Sequence, residues 1–171
     1  MKTLILLAHP NLANSTINKT LTQSITNAPH ITLHDLYATY PQGKIDAEKE
    51  IALLTDHQHI VFEFPLFWFS SPSLLKEYQD VVFSAILYSP KPKLLEGKTF
   101  QVITSAGSPK EKYHSNGRNQ KSLDEILLPF MLAASYLGMT PKPIFCVYNA
   151  MGITESELKA AKESYQKLLL A

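Results

Sequence analysis

Five short runs of apolar, β-branched or aromatic residues punctuate the chain: Lys2 to Ala8, Ile31 to Asp35, His59 to Phe64, Thr99 to Thr104 and Pro143 to Tyr148. They are mostly continuous rather than alternating, the mark of strands covered on both faces. The intervals carry helical spacing with recognisable ends. A first helix is expected from near Ser15, with Ile17, Leu21 and Ile25 on one face. Asp46 caps a charged helix start reaching Glu50. Ser71 and Pro72 supply an N-cap and a first-turn proline for a helix whose apolar face is Leu74, Leu75, Tyr78, Val81 and Val82. Ser122 and Glu125 form a capping box for a helix that runs through Leu127 and Phe130 to Gly138, kinked at Pro129. Thr154 and Glu157 repeat the box before Leu158, Ala161, Tyr165 and Leu168. Tyr88 to Glu96, with Pro90 and Pro92, reads as an ordered excursion. Alternation of strand and helix predicts parallel strands joined by right-handed crossovers. The expectation is therefore an α/β protein with a five-stranded, doubly wound sheet of order 2-1-3-4-5, helices on both faces, and one domain over residues 1–171. Ligands of such sheets sit beyond the carboxyl ends of the strands, beside strand 1. That directs attention to three loops: His9 to Ser15, Pro65 to Ser71, and Ser105 to Arg118.

Composition narrows the classes of function. The 171 residues are 45% hydrophobic and 18% charged, the balance of a chain that folds by itself. Lys plus Arg total 16 against 15 for Asp plus Glu, which gives no field to recruit nucleic acid or an acidic membrane surface. The lone Cys146 excludes an internal disulfide and fits a reducing compartment. The apolar run Leu4 to Ala8 is too short for a signal peptide, and no stretch approaches the ~20 apolar residues that span a bilayer. A cytoplasmic location is expected.

The first loop, HPNLANSTIN from His9, lacks the glycines of a dinucleotide fingerprint. It offers hydroxyls and amides where a helix begins, which suits an anion, and equally suits a plain Ser15 cap. The second, PLFWFSSP from Pro65, sets three adjacent aromatics at the end of a central strand, and three consecutive side chains cannot all point inward. Aromatic faces there would suit a flat tricyclic ligand; a dimer contact or a core plug are the other uses. The third leaves strand 4 through Ser105, Ala106, Gly107 and Ser108, whose small size permits close backbone approach, and continues to Tyr113, His114, Gly117 and Arg118. A tyrosine hydroxyl and a nearby cation could stabilise negative charge or pass a proton. The six histidines show no metal-ligand spacing, His57 and His59 marking the start of strand 3, and neither a GxSxG elbow nor a P-loop is present.

Together the loops resemble the flavin-dependent NAD(P)H:quinone reductase family, which has the flavodoxin-like fold and includes mammalian DT-diaphorase and bacterial modulators of drug activity. The likeness is greatest to short bacterial members, among them the flavoprotein subunits of glutathione-gated potassium efflux systems. It rests on HPNLANSTIN, on PLFWFSSPSLLKEYQDVVF, where short members read PLxWFSxPxxLKxWxDxV, and on SLDEILLPFMLAASYLGM. The resemblance implies that His9, Ser15, Thr16, Ile17 and Asn18 contact a flavin phosphate and ribityl chain. It implies further that Pro65, Leu66, Phe67, Trp68 and Phe69 line the ring, and that Ser105, Ala106, Gly107 and Ser108 replace the family's Thr-Thr-Gly-Gly turn. Tyr113 would close over the flavin and act in catalysis with His114 or Arg118. The partner histidine of the mammalian enzymes has no counterpart, and the glycine-rich segment after the third helix reads Ile86-Leu87-Tyr88-Ser89-Pro90.

The resemblance implies NAD(P)H as hydride donor, a quinone as acceptor, and FMN as the cofactor, with FAD the alternative; the mammalian C-terminal extension is lacking. It also implies a homodimer, which would use the aromatics Phe67, Phe69 and Tyr88. Two other functions are open: a regulatory flavoprotein subunit docked on a potassium efflux transporter, and a flavodoxin that shuttles single electrons, which the near-neutral charge disfavours.

Overall fold

The computed structural model describes residues 1–170. Six parallel strands make one sheet: β1 (Thr3–Leu7), β2 (Ile31–Asp35), β3 (His59–Pro65), β4 (Thr99–Ser105), β5 (Thr140–Pro141) and β6 (Phe145–Val147). The spatial order is β2-β1-β3-β4, with β5 and β6 both paired to the outer side of β4. The expected fifth strand, Pro143 to Tyr148, is thus shortened to β6, and a further two-residue strand, β5, lies just before it. Pro141 and Pro143 have no N–H to give the ladder. Lys142 donates its N–H to the Phe100 carbonyl at 2.7 Å, Gln101 Nε2 bonds the Pro143 carbonyl at 2.7 Å, and regular pairing resumes at Phe145.

Helices cover both faces. On one, α1 (Ile17–Gln23) and α8 (Glu155–Leu170) bury Ile17, Leu21, Tyr165 and Leu169 against Ile5, Val61 and Ile103. On the other lie α2 (Leu36–Thr39), α3 (Ala47–Thr55), α4 (Ser73–Tyr78), α5 (Ser84–Leu87), α6 (Leu123–Ile126) and α7 (Leu128–Tyr136), over Leu4, Leu6, Phe62, Phe64, Phe100 and Val102. β1, β3 and β4 therefore feed two cores with alternate side chains, which is why their sequences read as continuous apolar runs.

The capping boxes are formed: Ser122 Oγ accepts from the Glu125 N–H at 3.2 Å, and Thr154 Oγ1 from the Glu157 N–H at 3.3 Å. Asp46 caps α3 through the Lys49 N–H at 3.2 Å. Other helix signals resolve differently. Pro72, not Ser71, holds the N-cap position of α4, and the Ser71 hydroxyl bonds the Pro72 carbonyl at 3.2 Å. The predicted helix through Leu127 is interrupted there, and Pro129 sits in the first turn of α7, where its missing N–H costs nothing. A π-helical turn, Gln79–Phe83, joins α4 to α5. The first helix starts at Ile17, two residues after Ser15. Among the described residues no helix is long and apolar enough to cross a membrane.

Candidate functional site

Parallel register brings the carboxyl ends of β1, β3 and β4 to one rim, with Leu7 beside Glu63 and Pro65 beside Ser105. The loops that follow are stitched together by the backbone: Ala8 N–H to the Glu63 carbonyl (2.8 Å), Leu66 N–H to the Ser105 carbonyl (2.8 Å), and Ala150 N–H to the Ala106 carbonyl (2.9 Å). Between them opens a cleft of about 310 Å³, lined by His9, Asn14 to Asn18, Pro65 to Phe67, Ser105, Gly107, Ala150 and Met151. A larger cleft of about 520 Å³ lies along the outer edge of the sheet, between β6 and α8. Its Cys146 thiol is pushed by burial up to about 12 and is no nucleophile at neutral pH. The smaller cleft is the better candidate, because it sits at the switch point and collects polar groups from three strand ends.

In the first loop, a single turn at Leu12–Asn14 delivers Ser15, whose Oγ accepts from the Asn18 N–H in the first turn of α1 at 3.1 Å, while Thr16 holds the N-cap position. His9 Nδ1 accepts from the Asn11 N–H at 3.1 Å. Burial lowers the His9 pKa, with Asp35 opposing, so the ring is neutral near pH 7 and carries its hydrogen on Nε2.

The second loop is a two-residue turn. Phe67 and Ser70 exchange both backbone bonds, at 2.8 and 2.9 Å, around Trp68 (φ 49°) and Phe69 (φ 63°). Hairpin turns of this kind favour Asn-Gly; bulky aromatics held left-handed cost about 1 kcal/mol each. The three aromatics are all exposed, Trp68 to 93%. Replacing Trp68-Phe69 by Asn-Gly is expected to raise stability by about 1–2 kcal/mol, read as a higher urea midpoint. An unchanged midpoint would mean that the native turn stores no strain.

In the third loop, Ser105 Oγ donates to Asn18 Oδ1 at 2.9 Å, while Ala106 is buried beneath the rim. Gly107 is exposed, and a Cβ there would meet only Met151 Cγ, at 3.7 Å. The rest turns away. The Tyr113 ring packs on Tyr148, centroids 5.6 Å apart, and its hydroxyl is held protonated by burial, with Cys146 adding to the shift. His114 Nδ1 accepts from the Asn116 N–H at 3.2 Å, the Asn119 N–H bonds the Lys112 carbonyl at 3.0 Å, and Arg118 is exposed. Thus His9, Ser15 to Asn18, Pro65 to Phe67, Ser105 and Gly107 come together. Trp68, Phe69, Ala106, Ser108, Tyr113, His114 and Arg118 do not line the cleft. The loop closes on itself and leans toward Tyr148 on the β6 side.

Two features lie outside the predicted set. A fourth loop brings Ala150 and Met151 to the rim; its signal was the Asn149-to-Gly152 turn, with Asn149 left-handed at φ 58°. Behind the cleft, Glu63 is wholly buried, and the Tyr165 hydroxyl donates to its Oε2 at 2.7 Å. Burial pushes the Glu63 carboxyl up to about 8, against the pull of Tyr165 and Asn18, so it is protonated at neutral pH. The signal was a lone charge in an apolar strand.

A planar, phosphate-bearing cofactor is compatible with these residues. Gly107 leaves open the space that a side chain would fill, Ser15 and Thr16 offer hydroxyls, and Leu66 and Phe67 present apolar surface.

Comparison with known proteins places this arrangement among relatives. The profile of a family described as having a flavodoxin-like fold matches residues 1–169. The uncharacterised NAD(P)H oxidoreductase YdeQ of Bacillus subtilis is 40% identical over 168 residues, 98% of this chain and 85% of that protein. The glutathione-regulated potassium-efflux system ancillary protein KefG of Erwinia tasmaniensis is 42% identical over 165 residues, 96% of this chain and 90% of that protein. A crystal structure of general stress protein 14 from Treponema denticola in complex with FMN superposes with a TM-score of 0.89 at 35% identity, covering 99% of this chain and 97% of that one. One described as a thermophilic tryptophan halogenase from Streptomycin violaceusniger has a TM-score of 0.93 at 39% identity, covering 98% of each chain. Relatives of such different description on one fold leave the reaction to be argued from the site.

Proposed function

Because this chain belongs to the flavodoxin-like fold family and is 40% identical to a relative named as an NAD(P)H oxidoreductase, we propose that it is an FMN-dependent NAD(P)H:quinone oxidoreductase. The observation that carries the reading is the convergence of His9, Ser15, Leu66, Ser105 and Gly107 on one cleft at the switch point. Bound FMN supplies the hydride acceptor and donor that no side chain of this chain can replace. Ser15 and Thr16 hold the phosphate end, neutral His9 donates through Nε2, and the apolar edge formed by Leu66 and Phe67 seats the ring and sheds water from it. The open side of the cleft admits NAD(P)H and then the acceptor in turn. Tyr113, His114 and Arg118 reach this chemistry only if their loop swings back from Tyr148; FAD is the alternative cofactor.

The same reading takes the chain as a single cytoplasmic domain that pairs as a homodimer. Exposed Leu128, Leu132 and Tyr136 recur at one-turn intervals on α7, and Tyr88 is 84% exposed, a surface suited to a second copy. A KefG relative at 42% identity favours a second role, docking on a potassium efflux transporter.

The decisive experiment mixes purified protein with NADPH, menadione and FMN. Steady NADPH oxidation that requires both additions supports the enzyme, with light scattering reading the dimer. Negligible turnover together with capture of a potassium antiporter favours the regulatory role. A colourless protein indifferent to FMN would sink both.

A further inference from the structure

Among the buried polar groups that the flavin reading leaves unused, one carboxyl lies directly behind the cleft. Glu63 Oε2 accepts from Tyr165 on α8, whereas its Oε1 has no partner, and neither does the buried Nδ2 of Asn18. Asn18 lies within reach of Glu63 without achieving hydrogen-bond geometry, and its own Oδ1 takes the Ser105 hydroxyl at 2.9 Å. Asn18 and Ser105 both line the cleft. A row of polar groups thus runs from Tyr165 through Glu63 and Asn18 to Ser105, and a single side chain separates the carboxyl from the cofactor's seat.

Given the flavin reading, we propose that Glu63 is a positioning residue of the cofactor site: wholly buried between Tyr165 and Asn18, it keeps the floor of the cleft free of negative charge while it carries its proton, and loss of that proton weakens the hold on an anionic flavin nucleotide.

The surroundings explain why the charge would be felt. On the same sheet face, β1 sets Leu7 beside Glu63 and β4 sets Ile103. From α1 it meets Asn18, and from α8 Tyr165, its one titratable neighbour among the described residues, of which no Lys, Arg or His perturbs the carboxyl. A carboxylate here has no countercharge, and in an apolar interior its field reaches the cleft little screened. Cofactor binding and loss of the proton must then oppose each other, each by the same factor. Burial puts the midpoint near pH 8, and the Tyr165 hydroxyl, raised far above its usual value, stays protonated throughout.

Flavin fluorescence titrations with FMN test this between about pH 7 and pH 9. The wild-type dissociation constant is expected to rise roughly three- to tenfold across that window, and that of Glu63→Gln to stay nearly flat. Should the variant fail to fold, 13C NMR of the wild-type Glu63 carboxyl gives the same answer. Its titration midpoint should lie well above that of an ordinary glutamate and move upward when FMN is added. An equal rise in Glu63→Gln, or a carboxyl titrating as an ordinary glutamate and indifferent to FMN, overturns the proposal while leaving the flavin reading intact. Protein that binds no FMN even at pH 7 overturns both.

Discussion

Glu63→Gln is expected to outlast the wild type in urea at pH 8 and to lose that advantage at pH 5. Burial holds the native carboxyl near 8, whereas in the unfolded chain it reverts to about 4.5. Between these values the native state keeps a proton that the unfolded state gives up, so wild-type stability falls as pH rises from about 4.5 to about 8, then levels off. At about 1.4 kcal/mol per unit, the full penalty has a ceiling of about 4–5 kcal/mol. Glutamine never ionises and still offers Tyr165 an oxygen, although its amide hydrogens meet only Asn18 and return about 1–3 kcal/mol of that gain. The net expectation is about 2 kcal/mol in favour of Glu63→Gln at pH 8, and a small deficit at pH 5. Urea unfolding of both proteins at the two pH values reads this directly. A difference in midpoint that does not change with pH would show that Glu63 is ionised in the native state. A residue that costs stability at working pH is retained for some other use, which is the expectation the cleft supplies.

The sheet was legible because its signals are local and repeated. Both faces of β1, β3 and β4 are buried, so the runs are unbroken, and the strand ends lie within a residue of where the pattern stops. The last strand was misjudged for an equally local reason: at an edge, backbone bonding is optional on one side, two prolines interrupt the ladder, and the short piece at Thr140–Pro141 lies before the apolar run that begins at Pro143. The first and second loops reach the cleft because their residues follow strand ends directly, whereas the third contributes only Ser105 and Gly107 to it. Residues up to Gly107 are fixed by β4, but beyond Ser108 the path depends on contact between Tyr113 and Tyr148, some thirty-five positions away along the chain, which no local spacing reveals. Glu63 was passed over because helix and strand periodicity score apolar positions, whereas this acid fits an apolar face only by staying protonated. Its partner Tyr165 had been placed on the apolar side of α8, which is correct for the ring but misses the hydroxyl.

Gly107→Val is expected to leave the fold intact and to weaken FMN binding by about ten- to a hundredfold, a loss of about 1.4–2.8 kcal/mol. Gly107 has no left-handed backbone to protect, and a Cβ built there finds only Met151 Cγ at 3.7 Å, an ordinary contact. The protein has room for the side chain, so its thermal midpoint should change little. The room is that of the cleft, which Gly107 and Met151 both line, and the added isopropyl group competes with the ligand for it. Gly117→Ala makes the complementary test. Its Cβ would fall 2.5 Å from the Lys112 carbonyl oxygen, so the loop carrying Tyr113, His114 and Arg118 must distort. Because none of those three lines the cleft, FMN affinity should survive Gly117→Ala far better than Gly107→Val, and any effect should fall on turnover. Equal loss of affinity in the two variants would mean that the third loop closes over the cofactor when it binds, and that the arrangement against Tyr148 is the open half of a moving lid.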